Sequence, residues 1–124
     1  MIWGAIGAAL MALGVALGAF GAHALKDRLD AYSLDVYQKA VFYHFVHALG
    51  ILIVSALFRA GALTQSACTT VCALLVAGIV LFSGSLYLLA LTGTRALGAI
   101  TPFGGVSFIA AWLWLAYSLL KTPR

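Results

Sequence analysis

An all-α integral membrane protein is predicted by two properties of this sequence, its composition and the length of its apolar segments. Hydrophobic residues make up 65% of the 124 residues, and charged residues only 8%. A water-soluble domain carries roughly a quarter charged residues, so a soluble fold is excluded. A membrane-spanning helix needs about 20 apolar residues, and the chain has room for four with short connections. We therefore predict a single transmembrane domain over residues 1–124, folded as a four-helix bundle.

Polar or glycine-containing segments separate the four spans. We predict the spans at about 2–22, 36–58, 67–91 and 98–120. In the first connection apolar residues recur at helical spacing, which predicts a short interfacial helix at about 25–32. Ser33 is the expected N-cap of the second span, and Gly61 is the expected stop at its other end.

Small residues recur on one face of several spans. Because glycine lets two membrane helices approach closely, we predict that a set of glycines packs the bundle: Gly14, Gly18, Gly21, Gly84, Gly104 and Gly105. Cys68 and Cys72 are four residues apart and share a helix face. We interpret them as small apolar packing residues.

The second span carries the most polar face of the chain. At 100° per residue Tyr37, His44 and His47 fall within an arc of about 80°. Four alternating spans bring the start of the second span beside the ends of the first and third and the start of the fourth. This predicts a polar pocket on the side of the first and third connections, lined by His23, Tyr37, Tyr43, His44, His47, Ser83, Tyr87 and Thr101.

Three interpretations of this polar cluster remain open. The side chains can hydrogen-bond across helices and hold the bundle together. They can line a binding site or an ion pathway, because ionisable groups inside a membrane are costly and commonly functional. They can also bind a metal or haem, since His44 and His47 have a spacing that lets both imidazoles reach one cation. The sequence indicates no particular cofactor.

A binding or accessory role is the leading functional prediction. No Asp or Glu lies within a predicted span, so a buried catalytic triad is not expected and we predict no enzymatic activity. The first alternative is a small transporter or channel subunit in which His44 and His47 relay protons or cations. The second alternative is a metal- or haem-binding membrane protein.

The net charge of +4 does not indicate nucleic-acid binding, because the charges lie almost entirely in short connections without a basic face. Lys and Arg near span ends instead contact lipid and set topology. We predict cytoplasmic termini, which places the polar cluster toward the outer side. The expected partners are the lipid bilayer and either further copies of the chain or a larger membrane assembly.

Four motifs in order resemble one family. They are GAFGAH at 18–23, YHFVHAL at 43–49, LFSGSLY at 81–87 and ITPFGG at 100–105. Together they resemble the small membrane proteins grouped as "domain of unknown function 423", and animal mitochondrial proteins of the transmembrane protein 256 type are similar. The resemblance covers essentially the whole chain and implies four spans in a bacterial inner membrane, without implying an activity. It also implies that Gln can stand at His44, which favours His47 over a two-histidine metal site.

Overall fold

Four helical segments of the computed structural model are long and apolar enough to cross a membrane, which confirms the predicted architecture. The structure describes residues 2–121. The segments, named spans 1 to 4 in chain order, are Ile2–Leu25, Ala31–Arg59, Gln65–Thr92 and Arg95–Lys121. Each extends beyond its predicted bounds at one end or both.

Only span 2 is a single uninterrupted α-helix. Span 1 is α-helical over Ile2–Phe20 and ends in a π-helical turn, Gly21–Leu25. Span 3 consists of the α-helix Gln65–Gly78, the π-helical turn Ile79–Ser83 and the α-helix Gly84–Thr92. Span 4 opens with the 3₁₀ turn Arg95–Ala99 and continues as the α-helix Thr101–Lys121.

The first connection differs from its prediction. Residues 26–29 form turns where the interfacial helix was expected, and span 2 already begins at Ala31. Its N-cap is Asp30, whose carboxylate accepts a hydrogen bond from the backbone N–H of Ser33 at 2.7 Å. The prediction of Ser33 as N-cap was wrong because Asp30 holds the extended conformation of a cap, three residues earlier. Gly61, with φ of 80°, follows the helix end as predicted.

Packing follows the order of the chain. Span 1 packs against span 2, span 2 against span 3, and span 3 against span 4. In the most apolar stretch of each span the buried share is 17%, 39%, 39% and 22% from span 1 to span 4. Spans 2 and 3 are therefore the inner helices, and spans 1 and 4 present most of their surface to lipid or to a partner.

The larger apolar core lies between the inner helices and span 4. Its most buried members have no exposed surface; they are Ala48, Ile51, Val54, Val71, Cys72, Leu75 and Ala111. Cys68 is also buried here, and both cysteines are free thiols, so the interpretation as packing residues is confirmed. A smaller cluster joins Val36 and Tyr37 to Leu89 near the first and third connections.

Span 2 is longer than the membrane core is thick. Its first turns carry an exposed ion pair between Lys39 and Asp35, 3.0 Å apart. The stretch 40–58 contains no Lys, Arg, Asp or Glu. It is about 28 Å long, close to the hydrocarbon thickness of about 30 Å. The residues before Ala40 therefore stand at the membrane surface, and His44 and His47 lie below it.

Candidate functional site

The polar face of span 2 is buried, but its side chains face different neighbours. Tyr37, His44 and His47 are only 2%, 1% and 5% exposed. Tyr37 and His44 reach span 1 on one side and Tyr87 of span 3 on the other. His47 packs against span 4 instead.

His44 bridges three spans. Its Nε2–H donates to the carbonyl oxygen of Leu10 in span 1 at 2.7 Å, because a carbonyl can only accept. Its Nδ1 then accepts a hydrogen bond from the hydroxyl of Tyr87 at 2.9 Å. Both nitrogens of the neutral ring are thereby satisfied. A metal ion could bind His44 only by displacing one of these partners.

Tyr37 closes the same network toward the connections. Its hydroxyl donates to the carbonyl oxygen of Leu17 in span 1. Its ring meets the ring of Tyr87 edge to face, with centroids 5.3 Å apart. A Cβ on Gly21 would overlap the ring of Tyr37, so only glycine at this position lets the tyrosine lie against span 1.

His47 has a different environment. Its Nδ1–H donates to the carbonyl oxygen of Tyr43 one turn earlier, at 2.7 Å. The imidazole stacks on Phe108 of span 4 with centroids 3.5 Å apart, and Trp112 lies beside it at 5.8 Å. Within residues 2–121, Nε2 has no hydrogen-bond partner. One nitrogen of this buried ring is therefore available as an acceptor.

Hydroxyl groups of span 3 form two further links. Ser83, which has no exposed surface, donates to the carbonyl oxygen of Ala40 in span 2 at 2.8 Å. The hydroxyl oxygens of Ser85 and Thr101 lie 2.6 Å apart, and their hydrogen bond joins span 3 to span 4. The predicted pocket residues are thus divided among several interhelix hydrogen bonds.

His23 and Tyr43 are not part of these buried links. His23 is exposed at the end of span 1, and Tyr43 is 37% exposed on span 2. The ring of Tyr43 packs on Phe82 with centroids 4.4 Å apart. Among the residues that the structure describes, no three His, Cys, Asp or Glu side chains come together as a set of metal ligands.

The glycines predicted to pack helices have unequal surroundings. A Cβ on Gly104 would overlap the backbone of Phe82, and one on Gly14 would lie 3.0 Å from the ring of Phe45. A Cβ on Gly18 would meet Val41 at the ordinary contact distance of 3.4 Å. Around Gly84 and Gly105 the nearest atom would be 3.9 Å away, so these two positions are not close contacts within one chain.

Two clefts open near the first and third connections. The first, of about 140 Å³, lies between spans 1 and 2 and is lined by Gly18, Gly21, Ala22, Leu34, Tyr37, Gln38 and Val41. The second, of about 210 Å³, lies where the first connection meets the third and is lined by Asp30, Tyr32, Ser33, Leu89, Gly93 and Arg95. We call them the span 1–2 cleft and the connection cleft.

Comparison with known proteins identifies the family. Residues 17–105 match the family described as "Protein of unknown function (DUF423)". The chain belongs to this family. It is 47% identical over 117 residues to the UPF0382 membrane protein YwdK of Bacillus subtilis, with 94% of each chain covered. It is also 47% identical over 121 residues to the UPF0382 membrane protein SSP2132 of Staphylococcus saprophyticus, covering 98% of this chain and 96% of the relative. No solved structure matches it.

Several features of this DUF423 protein were not predicted from its sequence. The π-helical turns fall on two of the family-like motifs, at Gly21–Leu25 and Ile79–Ser83. Such turns have no local residue signature, although they are frequent at functional sites. Ser85 and Ser107 were also missed, and Ser107 donates to the carbonyl oxygen of Leu74 at 2.7 Å. The available signal was a hydroxyl residue inside an apolar span, which needs an acceptor.

Proposed function

We propose that this multi-pass membrane protein is a non-enzymatic binding or accessory protein of the bacterial inner membrane, and that the span 1–2 cleft binds an amphiphilic ligand. The supporting observation is the amide of Gln38 in this cleft. The side chain is exposed and makes no hydrogen bond to any residue of the described chain. It stands next to Lys39, at the level where the charged part of span 2 gives way to its apolar part.

The walls of the span 1–2 cleft fit a molecule with one polar end. Gln38 supplies an amide at the membrane surface, and Val41 continues the wall toward the hydrocarbon. Gly18 and Gly21 have no side chain to fill the opposite wall. An unpaired amide at the edge of a bilayer is better satisfied by a polar ligand group than by hydrocarbon.

The hydrogen bonds of the buried polar side chains also support a non-enzymatic role. His44, Ser83 and Tyr37 are each engaged with a backbone carbonyl of a neighbouring span. The acids Asp27, Asp30 and Asp35 lie at or above the membrane surface. This arrangement stabilises helix contacts and leaves few groups free for catalysis.

A photoactivatable phospholipid incorporated into nanodiscs with the purified protein tests the cleft. Gln38→Leu removes the amide, and Gly18→Leu fills the cleft from the other wall. Gln65→Leu, an exposed amide at the far end of span 3, is the matched control. We expect labelling of spans 1 and 2 to fall several-fold in both cleft variants and to stay unchanged in the control. Equal labelling of all four proteins would refute the proposal.

We further propose that the protein works as a homo-oligomer or as a subunit of a larger membrane assembly, with both termini in the cytoplasm. The support for an assembly is the low burial of the outer spans, 17% for span 1 and 22% for span 4. Mass measurement of the protein in native-membrane particles tests this proposal. A mass equal to one chain at all protein concentrations, without partners, would contradict it.

His47 favours a second candidate function, a proton or cation relay. Its Nε2 is an unpaired acceptor on a ring that is 5% exposed, below the membrane surface. The test is ion flux into proteoliposomes as a function of pH, with His47→Gln against wild type and His23→Gln as an exposed control. Flux that is absent, or that His47→Gln leaves unchanged, would remove this candidate.

A further inference from the structure

The connection cleft carries two opposite charges that are not paired with each other. Asp30 and Arg95 both line it, yet within residues 2–121 the only ion pair is Lys39 with Asp35. The guanidinium of Arg95 has no hydrogen-bond or ion-pair partner in the part of the chain that the structure describes. Two unpaired charges of opposite sign in one cleft are suited to a ligand that also carries both signs.

Local backbone structure brings these two residues together. Gly93, with φ of 70°, ends the helix of span 3 and turns the chain, so that Arg95 follows beside the start of span 2. Asp30 is fixed there as the N-cap of span 2 through Oδ1, which accepts from the N–H of Ser33. This hydrogen bond holds the pKa of the Asp30 carboxyl below its ordinary value, so the group is ionised at neutral pH.

The position of the cleft relative to the bilayer selects the kind of ligand. The exposed apolar residues of span 3 continue to Leu91, and Gly93 and Arg95 of the cleft follow directly, so the cleft stands where the apolar part of span 3 meets the membrane surface. Tyr32, which is 60% exposed, lines it as an aromatic residue of the interface, and Leu89 gives it an apolar side toward span 3. Lipid headgroups occupy this level.

We propose that the connection cleft binds the headgroup of a phosphoethanolamine lipid, with the phosphate on Arg95 and the primary ammonium on Asp30. Arginine suits phosphate because its planar fork donates two parallel hydrogen bonds. The ammonium donates to the carboxylate of Asp30, whose negative charge is not neutralised by the hydrogen bond of the cap or by an ion pair within residues 2–121. This site is separate from the span 1–2 cleft, and the inference does not depend on the function proposed for that cleft.

The test compares lipids that differ in one group. Delipidated protein is titrated with phosphatidylethanolamine, phosphatidylcholine and phosphatidylglycerol, and bound lipid is counted by native mass spectrometry. Phosphatidylcholine keeps the positive charge but has no N–H to donate, and phosphatidylglycerol keeps only the phosphate. We expect phosphatidylethanolamine to bind about fivefold tighter than phosphatidylglycerol, the effect of one charged contact at a membrane surface. It should also bind tighter than phosphatidylcholine, which cannot donate a hydrogen bond to Asp30.

Two variants separate the contacts without disturbing the fold. Asp30→Asn keeps a good N-cap but loses the charge, so the preference for phosphatidylethanolamine over phosphatidylglycerol should disappear while the fold is unaffected. Arg95→Gln should weaken the binding of all three lipids. Arg59→Gln, an exposed arginine at the other end of span 2, is the matched control and should change nothing.

Three results would overturn the proposal. The first is equal binding of the three lipids by the wild type, which would indicate a nonspecific surface. The second is tighter binding of phosphatidylglycerol, which would indicate a simple anion site. The third is free phosphoethanolamine binding as tightly as the lipid, which would assign the cleft to a soluble ligand.

Discussion

At the residue scale, the buried polar side chains of this protein mainly donate hydrogen bonds to backbone carbonyls. His44, Tyr37 and Ser83 each find their acceptor on a neighbouring helix rather than on another side chain. His44 adds the hydroxyl of Tyr87 as a second partner. Interhelix hydrogen bonds in membranes average only about 0.6 kcal/mol, so each link is modest and their geometry matters more than their number.

Tyr87→Phe tests the link between spans 2 and 3. The change removes the donor to Nδ1 of His44 and leaves a buried acceptor unpaired, so we expect a loss of about 1–2 kcal/mol in the free energy of unfolding. Reversible unfolding in mixed micelles measures it. Tyr117→Phe is the control, because Tyr117 is 51% exposed and its hydroxyl makes no hydrogen bond within residues 2–121. An equal response of the two variants would show that the His44–Tyr87 bond contributes nothing.

The sequence predicted the polar face of span 2 but not its partners. Helical periodicity placed Tyr37, His44 and His47 on one face, and all three are buried. Their acceptors could not be predicted, because the carbonyls of Leu10 and Leu17 have no side-chain signature. His47 differs from His44 because it packs against Phe108 of span 4. The periodicity of span 2 alone does not predict this contact.

At the element scale, the contact between spans 3 and 4 includes one close approach to backbone atoms. A Cβ on Gly104 would overlap the backbone of Phe82, which cannot rotate away as a side chain could. The π-helical turn Ile79–Ser83 contains Phe82. The irregular part of span 3 is therefore the part that contacts the glycine face of span 4. Backbone-to-backbone contact of this kind needs glycine.

Gly104→Ala should therefore destabilise the bundle by about 1–3 kcal/mol through overpacking. Gly105→Ala is a closely matched control, since the nearest atom to its Cβ would be Cδ2 of Phe82 at 3.9 Å. We expect the control to lie within about 0.5 kcal/mol of the wild type. Thermal unfolding of both variants in the same detergent makes the comparison. Similar midpoints for both would show that spans 3 and 4 are less closely packed than described.

Asp30→Ala tests the start of span 2 and gives a dependence on pH. The Ser33 N–H lowers the pKa of Asp30 in the folded state, so its contribution to stability is complete above the ordinary pKa of about 3.9. The contribution is lost as the pH falls through the lowered, folded-state pKa. We expect the variant to unfold at a lower temperature than the wild type at pH 7 and the difference to shrink in acid.

Asp35→Ala is the control for the cap. Asp35 and Lys39 are 60% and 64% exposed, and an exposed ion pair contributes little. A difference between Asp30→Ala and wild type that grows in acid would contradict the assignment of the cap. The prediction of Ser33 as N-cap failed for a related reason, because Asp30 and Ser33 are both good capping residues and only the backbone conformation distinguishes them.

At the scale of the whole molecule, composition was enough to predict the architecture. Four spans were expected from length and hydropathy, and four are present in the described chain. The spans begin or end a few residues beyond their predicted bounds, because helical hydrogen bonding continues into polar residues such as Tyr32 and Asp35. Hydropathy marks the membrane core, whereas helix ends are set by caps.

Four spans place both termini on the same side of the membrane, and we propose the cytoplasm. Fusions of a fluorescent reporter that folds only in the cytoplasm, and of a phosphatase active only outside it, test each terminus separately. We expect fluorescence and no phosphatase activity from both. Opposite results at the two ends would refute four spans, and phosphatase activity at both would reverse the orientation while keeping the fold.

The sequential packing of the spans has a consequence for biosynthesis. The closest backbone contacts join each span to the one before it, so most contacts are local along the chain, which favours fast assembly. Each helix leaving the translocon meets its partner already in the bilayer, and spans 1 and 2 can associate as a hairpin first.

Nascent chains stalled before span 3 emerges should already cross-link between cysteines placed at Gly14 and Phe45, which are in contact. The bond from His44 to Leu10 belongs to that early hairpin, and the bond to Tyr87 closes only when span 3 arrives.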